Sequence, residues 1–270
     1  MKTNFNPREV KYNRIKEHDI LTEIYHMPKK ARDVIFVFCY GMPSHPFDRF
    51  PFGLEPYLRE GIIVAYPHYK GTFGSGGICT IENSVDSVIS SIDTLLNEEL
   101  YDSFSTELIQ IEPQEVVVVG SSFGGSIALV AGAKSNNIKN IIAIAAPTDY
   151  RTHGHVPGIE EYDLVKLEEE MKHGYKDEWL IDFSSWKKFI SGELDINPID
   201  YVEQLKPKNT FLIHGEKDLS VSVKRSIELN KRIKSGREKH WLHIVPDAGH
   251  INTSYIGTGK VYSLVESWRK

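Results

Sequence analysis

Cysteine is scarce in this sequence: Cys39 and Cys79 are the only two among 270 residues. One disulfide at most is possible, which excludes a disulfide-stapled fold. Both lie in or beside apolar strand-like or turn segments, where a thiol behaves as a small hydrophobe, and both are expected to be free. Long apolar runs are missing too. Nowhere do about 18 apolar residues follow one another, so no spanning helix is expected. The opening "MKTNFNPREVKYNRIKEHD" has no apolar stretch of signal-peptide length. The expected location is the cytoplasm. Nor is there an excess of positive charge: 32 Lys and Arg stand against 37 Asp and Glu, and the net charge is -5. The two signs are mixed along the chain, which leaves neither a basic face for nucleic acid nor a polybasic membrane anchor. Neither a repeat of about 20 to 50 residues nor a low-complexity linker divides the sequence. A single domain over residues 1–270 is expected.

What is present is an alternation of short β-branched runs with helical patterns. The runs are "DVIFVF" (33–38), "GIIVAY" (61–66), "EVVVV" (115–119), "NIIAI" (140–144), "TFLI" (210–213) and "WLHIV" (241–245). Nearly continuous hydrophobic strands separated by helices indicate an α/β fold with a mostly parallel sheet covered on both faces. Helical spacing recurs at Val85, Val88, Ile89, Ile92 and Leu95-Leu96, and at Val261, Leu264, Val265 and Trp268. It recurs again at Val223 and Ile227, with Gly236 as the stop. Ahead of the first parallel strand, residues 9–27 read as two strands joined by a polar turn at 17–19, an antiparallel edge. From about 149 to 194 the rhythm breaks into an acidic, aromatic segment without a strand signal, and this is expected to be a helical cap inserted over one end of the sheet.

The stretch "EVVVVGSSFGGSIALVAGA" places a strand, a glycine-rich corner and a small-residue helix in succession. Gly120, Ser122 and Gly124 fill the G-x-S-x-G pattern that holds a serine on a strained strand-to-helix turn. A serine hydroxyl needs a base, and the base needs an acid to orient it. Both follow in the order of elbow-type hydrolases: Asp218 in "HGEKDLS", after one strand, and His250 in "PDAGH", after the next. All three residues should meet at the carboxyl edge of the sheet. Ser121 and Ser126 fall off the elbow position and read as packing or capping groups, and Glu216 and Asp247 are the alternative acids. His214 and His243 belong to strands. His153 and His155 in "THGH" have no third ligand at a useful spacing, so no metal is expected. "GTFGSGGIC" has Cys79 where a dinucleotide fingerprint needs glycine, so no nucleotide cofactor is expected either.

With these residues in place the sequence resembles the α/β-hydrolase superfamily, and within it the catalytic domain of the prolyl oligopeptidase and acylaminoacyl-peptidase group. "GSSFGG" is similar to that group's G-x-S-aromatic-G-G, "YPHYKGTFGSGG" to its glycine-rich loop, "NPIDYVEQLKPKNTFLIHGEKD" to the segment leading to its acid, and "YGMP" to its oxyanion turn. The sequence departs from the group at Lys70, where arginine is usual, at Met42, which replaces a small residue, and at Ser222, which replaces proline. Its 270 residues leave no room for the group's β-propeller, so peptidase specificity is not carried over.

The expected activity is cleavage of small carboxylic esters through an acyl-enzyme, with Ser122 as nucleophile, His250 as base and Asp218 as orienting acid. A small-peptide peptidase or amidase, a ligand-binding member without catalysis, and acyl transfer to an acceptor other than water are the alternatives. The backbone N–H of Phe123 is one oxyanion donor required by the elbow. The second is the N–H of Gly41 or Met42 or, as the resemblance implies, the hydroxyl of Tyr40. Large apolar side chains crowd the cap: Tyr162, Leu164, Leu167, Met171, Trp179, Leu180, Phe183, Trp186 and Phe189. Trp179, Phe183 and Trp186 are expected to line an acyl pocket over Ser122, with simple packing as the bland alternative.

Overall fold

The computed structural model describes residues 6–28, 33–44, 54–97, 99–154, 161–234 and 239–270. His155 and Gly236 lie outside the described residues. The strands are β1 (Lys11–Glu17), β2 (Ile20–His26), β3 (Val34–Cys39), β4 (Ile63–Pro67), β5 (Glu115–Ser121), β6 (Asn140–Ile144), β7 (Asn209–Gly215) and β8 (His240–Val245). They form one eight-stranded sheet in the order β1-β2-β4-β3-β5-β6-β7-β8. β2 is antiparallel to both its neighbours, and the remaining pairings, from β4 to β8, are parallel. The mixed sheet follows from a hairpin: Glu17 pairs with Ile20 across His18 and Asp19, both at positive φ, a two-residue loop that reverses the chain at once.

The helices are α1 (Glu55–Arg59), α2 (Asn83–Asn97), α3 (Phe123–Lys134), α4 (Leu164–Gly174), α5 (Trp186–Ile190), α6 (Val202–Leu205), α7 (Val223–Ile233) and α8 (Gly259–Arg269). One apolar layer joins α2, α3, Leu205 of α6 and Leu229 and Ile233 of α7 to one face of the sheet. The opposite layer joins Tyr57 and Leu58 of α1 to Val261, Val265 and Trp268 of α8. α3 is buried almost all round, which explains its small residues and the absence of a polar face.

Two strands run further than their β-branched cores. β5 continues through Gly120 and Ser121, paired with Ala143 and Ile144, and β7 continues through His214 and Gly215, paired with Ile244 and Val245. These extensions carry the chain to the edge where the functional groups gather. The expected apolar face of α7 is incorrect: Ile227 is 41% exposed, and Arg225, Ser226, Leu229 and Ile233 face inward. The helix is turned by polar bonds that Arg225 and Ser226 make, which outweigh one exposed isoleucine.

Between β6 and α6 the described residues form short 3-10 turns together with α4 and α5, and among them none adds a strand to the sheet. Residues 178–182 are bonded to the loop after β4: Phe73 N–H donates to Glu178 O, Leu180 N–H to Gly71 O, and Cys79 N–H to Leu180 O. Both cysteines are free and buried, and burial pushes the Cys79 thiol up to about 12. Among the described residues no helix is long and apolar enough to cross a membrane.

Candidate active site

Ser122 occupies the corner between β5 and α3 with φ 54° and ψ −129°, a left-handed conformation that costs a serine energy and persists only where its surroundings hold it. Its N–H donates to Ile144 O at 2.9 Å, which ties the corner to β6. Two glycines make the corner possible. A Cβ on Gly120 would lie 2.0 Å from the carbonyl oxygen of Gly124, and one on Gly124 would lie 2.3 Å from Cys39 O and 2.4 Å from Tyr40 O. No side chain fits at either position, because the start of α3 is pressed against β5 and the end of β3.

The loop after β7 carries Asp218 and the loop after β8 carries His250. Nδ1 of His250 lies 2.8 Å from Oδ2 of Asp218. A carboxylate only accepts, so Nδ1 bears the hydrogen and Nε2 is left as the basic nitrogen. The other oxygen of Asp218 accepts the N–H groups of Ser220 (2.8 Å) and Val221 (3.0 Å). Burial opposes the charge on Asp218, but hydrogen bonds from His214, His250 and the Val221 N–H outweigh it and hold the carboxyl well below the usual carboxylate range. The sequence marks His214 only as a strand residue. Its Nε2 is 3.3 Å from Asp218 Oδ2 and donates to Val221 O at 2.8 Å, while its Nδ1 is 2.7 Å from Ser226 Oγ.

The alternative acids lie elsewhere. Asp247 pairs with Lys217 in the exposed turn, and its N–H donates to Glu216. Ser126 is fully buried and donates to Pro147 O, a bond internal to the fold. His153 sits against Glu161 and the Tyr162 carbonyl.

Ser122 and His250 line one cleft of about 720 Å³ at the carboxyl edge, together with Tyr40, Gly41, Met42 and Phe123. Phe123 is the first residue of α3, so its N–H has no acceptor within the helix. A Cβ on Gly41 would come within 3.6 Å of Ser122 Cβ, so the β3 turn runs directly beside the serine. The Tyr40 ring is stacked on Tyr66 and meets the edges of His68, Tyr69 and Phe73, while its carbonyl accepts the Tyr69 hydroxyl at 3.0 Å.

The expected aromatic pocket must be corrected. Trp179 and Trp186 are fully buried, and neither these two nor Phe183 lines the cleft. Trp179 packs on Tyr69 and Phe73 and its indole N–H donates to Ser44 O at 3.1 Å. Trp186 packs between Phe183 and Phe189. Tyr162, Leu164, Leu167 and Phe189 face the cleft instead.

A further group went unseen in the sequence because its members are far apart in the chain. Arg225 donates to both oxygens of Glu161 (3.0 and 2.7 Å) and to Thr152 O (2.9 Å), and Glu161 also accepts the N–H groups of Ser222 and Gly154 (both 3.0 Å). The carboxylate is fully buried. Desolvation alone would raise its pKa, but the bonds from Arg225, Gly154 and Ser222 lower it to about 2. A depressed carboxyl contributes stability that is present above its unfolded value of about 4.3 and is lost as pH falls through that value toward 2. Glu161→Gln is therefore expected to lower stability near pH 7 by about 3 kcal/mol. The gap to wild type should narrow between pH 5 and 3 in melting curves recorded against pH. A gap that stays constant over that range would remove the carboxylate from the acid response.

Known proteins resemble this chain in fold over nearly its whole length. An esterase of Pyrococcus furiosus superposes with a TM-score of 0.64 at 20% identity, covering 99% of this chain and 94% of its own. An α/β hydrolase of a Penicillium species gives 0.68 at 14% identity, with 96% of each chain covered. A dipeptidyl aminopeptidase IV homologue of Bacteroides ovatus gives 0.63 at 14% identity, and this chain spans 35% of it. At these identities the likeness is one of fold. No curated protein matches the sequence. Residues 50–269, most of the chain, match the family model of the prolyl oligopeptidase family. The strained Ser122 corner and the His250–Asp218 pair at one sheet edge thus lie in a chain that belongs to the prolyl oligopeptidase family and is a serine hydrolase.

Proposed function

We propose that Ser122, His250 and Asp218 form a catalytic triad and that the substrate is a small carboxylic ester. The observation that carries this reading is the 2.8 Å bond from His250 Nδ1 to a charged, buried Asp218, in a cleft shared with a serine at φ 54°. Ser122 Oγ attacks the ester carbonyl while His250 Nε2 takes its proton. The tetrahedral intermediate collapses as the imidazolium returns that proton to the leaving alkoxide. Water, deprotonated by the same nitrogen, then releases the acid and restores the serine. Asp218 holds the ring in the tautomer that keeps Nε2 basic and stabilises the transient imidazolium. Only the neutral imidazole can take the serine proton.

Residues 149–194 act in this reading as a cap whose Tyr162, Leu164, Leu167 and Phe189 form one wall of the cleft. Phe123 N–H and the Tyr40 hydroxyl are the two oxyanion donors. Tyr40→Phe is expected to lower kcat about a hundredfold with little change in KM. A near-wild-type rate would transfer the role to the N–H of Gly41 or Met42, which stand beside the serine.

Ester cleavage is supported by the nearly complete mutual coverage with an esterase. The family match favours a second reading, release of aminoacyl groups from small amides. Steady-state rates on p-nitrophenyl esters and aminoacyl p-nitroanilides of matched acyl size separate them. The ester reading expects kcat/KM at least about a hundredfold higher on the esters than their intrinsic reactivity explains, and comparable corrected rates would favour the second.

A further inference from the structure

His214 takes no part in the proton transfers described above, yet its ring is buried beside the residue that orients the base. The side chains of His214 and Asp218 are both 0% exposed. His214 belongs to β7, and its ring reaches into the loop that joins β7 to α7. Nε2 lies 2.8 Å from the carbonyl oxygen of Val221 and 3.3 Å from Oδ2 of Asp218. Both oxygens can only accept, so Nε2 bears the hydrogen. In the neutral ring Nδ1 is then an acceptor, and the hydroxyl of Ser226, in the first turn of α7, donates to it at 2.7 Å. The ring is thus matched to its place on both edges. A phenyl ring of similar size would leave the buried Val221 carbonyl without its donor, which is costly.

The oxygen that His214 meets is the one that serves the base. Oδ2 accepts from His250 Nδ1 at 2.8 Å, so two imidazole N–H groups converge on it, one from β7 and one from the loop after β8. Val221 closes the arrangement: its N–H donates to Oδ1 of Asp218, while its carbonyl accepts from His214. The turn that carries the carboxylate is thereby tied to the ring as well. The backbone around it has little slack, since a Cβ on Gly215 would lie 2.0 Å from Gly249 O and the Lys217 N–H donates to Ala248 O at 2.8 Å. With both loops pressed together, the angle of the carboxylate is left to its side-chain partners. His214 is not among the described residues lining the cleft, so any effect it has on the reaction passes through Asp218.

We propose that His214 is a positioning residue of the triad: its Nε2–H fixes Oδ2 of Asp218 and, through Val221, the turn beneath it, in the orientation that His250 Nδ1 requires. This inference rests on the triad reading, and its test separates the two. Two amides divide the functions of the ring. Glutamine places its NH₂ where Nε2 stands, and asparagine places its amide where Nδ1 stands. His214→Gln therefore keeps the donor toward Asp218 and Val221, whereas His214→Asn keeps only a partner for Ser226. Turnover of p-nitrophenyl butyrate is measured per active site, the sites being counted by fluorophosphonate labelling carried to completion, which removes the contribution of unfolded protein. His214→Asn is expected to lower kcat about thirtyfold with KM within about twofold, and His214→Gln to stay within about fivefold of wild type. Melting temperatures should fall alike in both, so that rate does not follow stability. In the Asp218→Asn background, where the carboxylate is already gone, His214→Asn is expected to cost less than about threefold more. Equal losses in the two backgrounds, an asparagine variant within about threefold of wild type, or a glutamine variant as slow as the asparagine one would overturn the positioning role and leave the triad standing. If Asp218→Asn itself costs less than about tenfold, the triad reading falls and this inference with it. A measurement on the wild-type protein needs no buried substitution. In long-range ¹H–¹⁵N spectra of protein labelled in its histidines, His214 is expected to carry its hydrogen on Nε2 and His250 on Nδ1. A hydrogen on Nδ1 of His214 with none on its Nε2 would overturn the role.

Discussion

Ser122→Ala is expected to lower kcat by a factor on the order of 10⁵ to 10⁶ while leaving the fold intact. The magnitude follows from the loss of the proposed nucleophile. In triads that act as a unit, deleting the nucleophile costs nearly as much as deleting all three members. The fold survives because alanine keeps the Cβ beside Gly41 and the N–H that donates to Ile144 O. The left-handed backbone is no worse for alanine than for serine. Turnover of a p-nitrophenyl ester and a melting curve on the same sample check both halves. An activity within tenfold of wild type would mean that another group attacks the carbonyl.

Asp218→Asn is expected to cost about 10⁴ in kcat, by analogy with the corresponding change in a serine protease triad. The asparagine oxygen can still accept from the Ser220 and Val221 N–H groups, so the loop remains closed. Its NH₂ then faces His250 Nδ1, and the ring must turn its lone pair toward that donor. The hydrogen moves to Nε2, and the base is no longer available to Ser122. The same change deprives His214 of a charged neighbour 3.3 Å away, so a small loss of stability accompanies the large loss of rate. Asp218 is not among the described residues lining the cleft, so KM should move little. A fall of less than tenfold in kcat would show that Asp218 does not orient the base.

The sheet was legible because its strands are β-branched and continuous, and the corner was legible because its glycines are sterically required rather than merely tolerated. Gly120 and Gly124 cannot carry a Cβ, so the pattern G-x-S-x-G reports a close approach of backbone to backbone. The order of Ser122, Asp218 and His250 was readable for a related reason: each follows an apolar run, and parallel strands bring such ends together.

Less was legible where the outcome depends on which way a side chain faces. Trp179 and Phe189 are equally apolar in sequence. The ladder of backbone bonds between residues 178–182 and the loop after β4 turns Trp179 inward, however, while Phe189 packs edge-on against Phe123 at the cleft. Hydrophobicity sets burial and does not distinguish a core from a pocket wall. Polar pairs distant in the chain were equally hidden. Glu161 meets Arg225, and Glu23 meets His68, only because the fold closes large loops, and no local spacing announces either pair. α7 shows the consequence: its inward face is set by Arg225 and by the bond from Ser226 to His214, against the apolar spacing of Val223 and Ile227.

Covalent labelling is the most direct measurement. A fluorophosphonate reacted with the wild-type protein, followed by proteolysis and mass spectrometry, is expected to place one phosphonyl group per chain on the peptide containing Ser122. Labelling should be absent in Ser122→Ala and much slower in Asp218→Asn. Adduct on Ser121 or Ser126, or undiminished labelling of the alanine variant, would contradict the assignment of Ser122 as nucleophile.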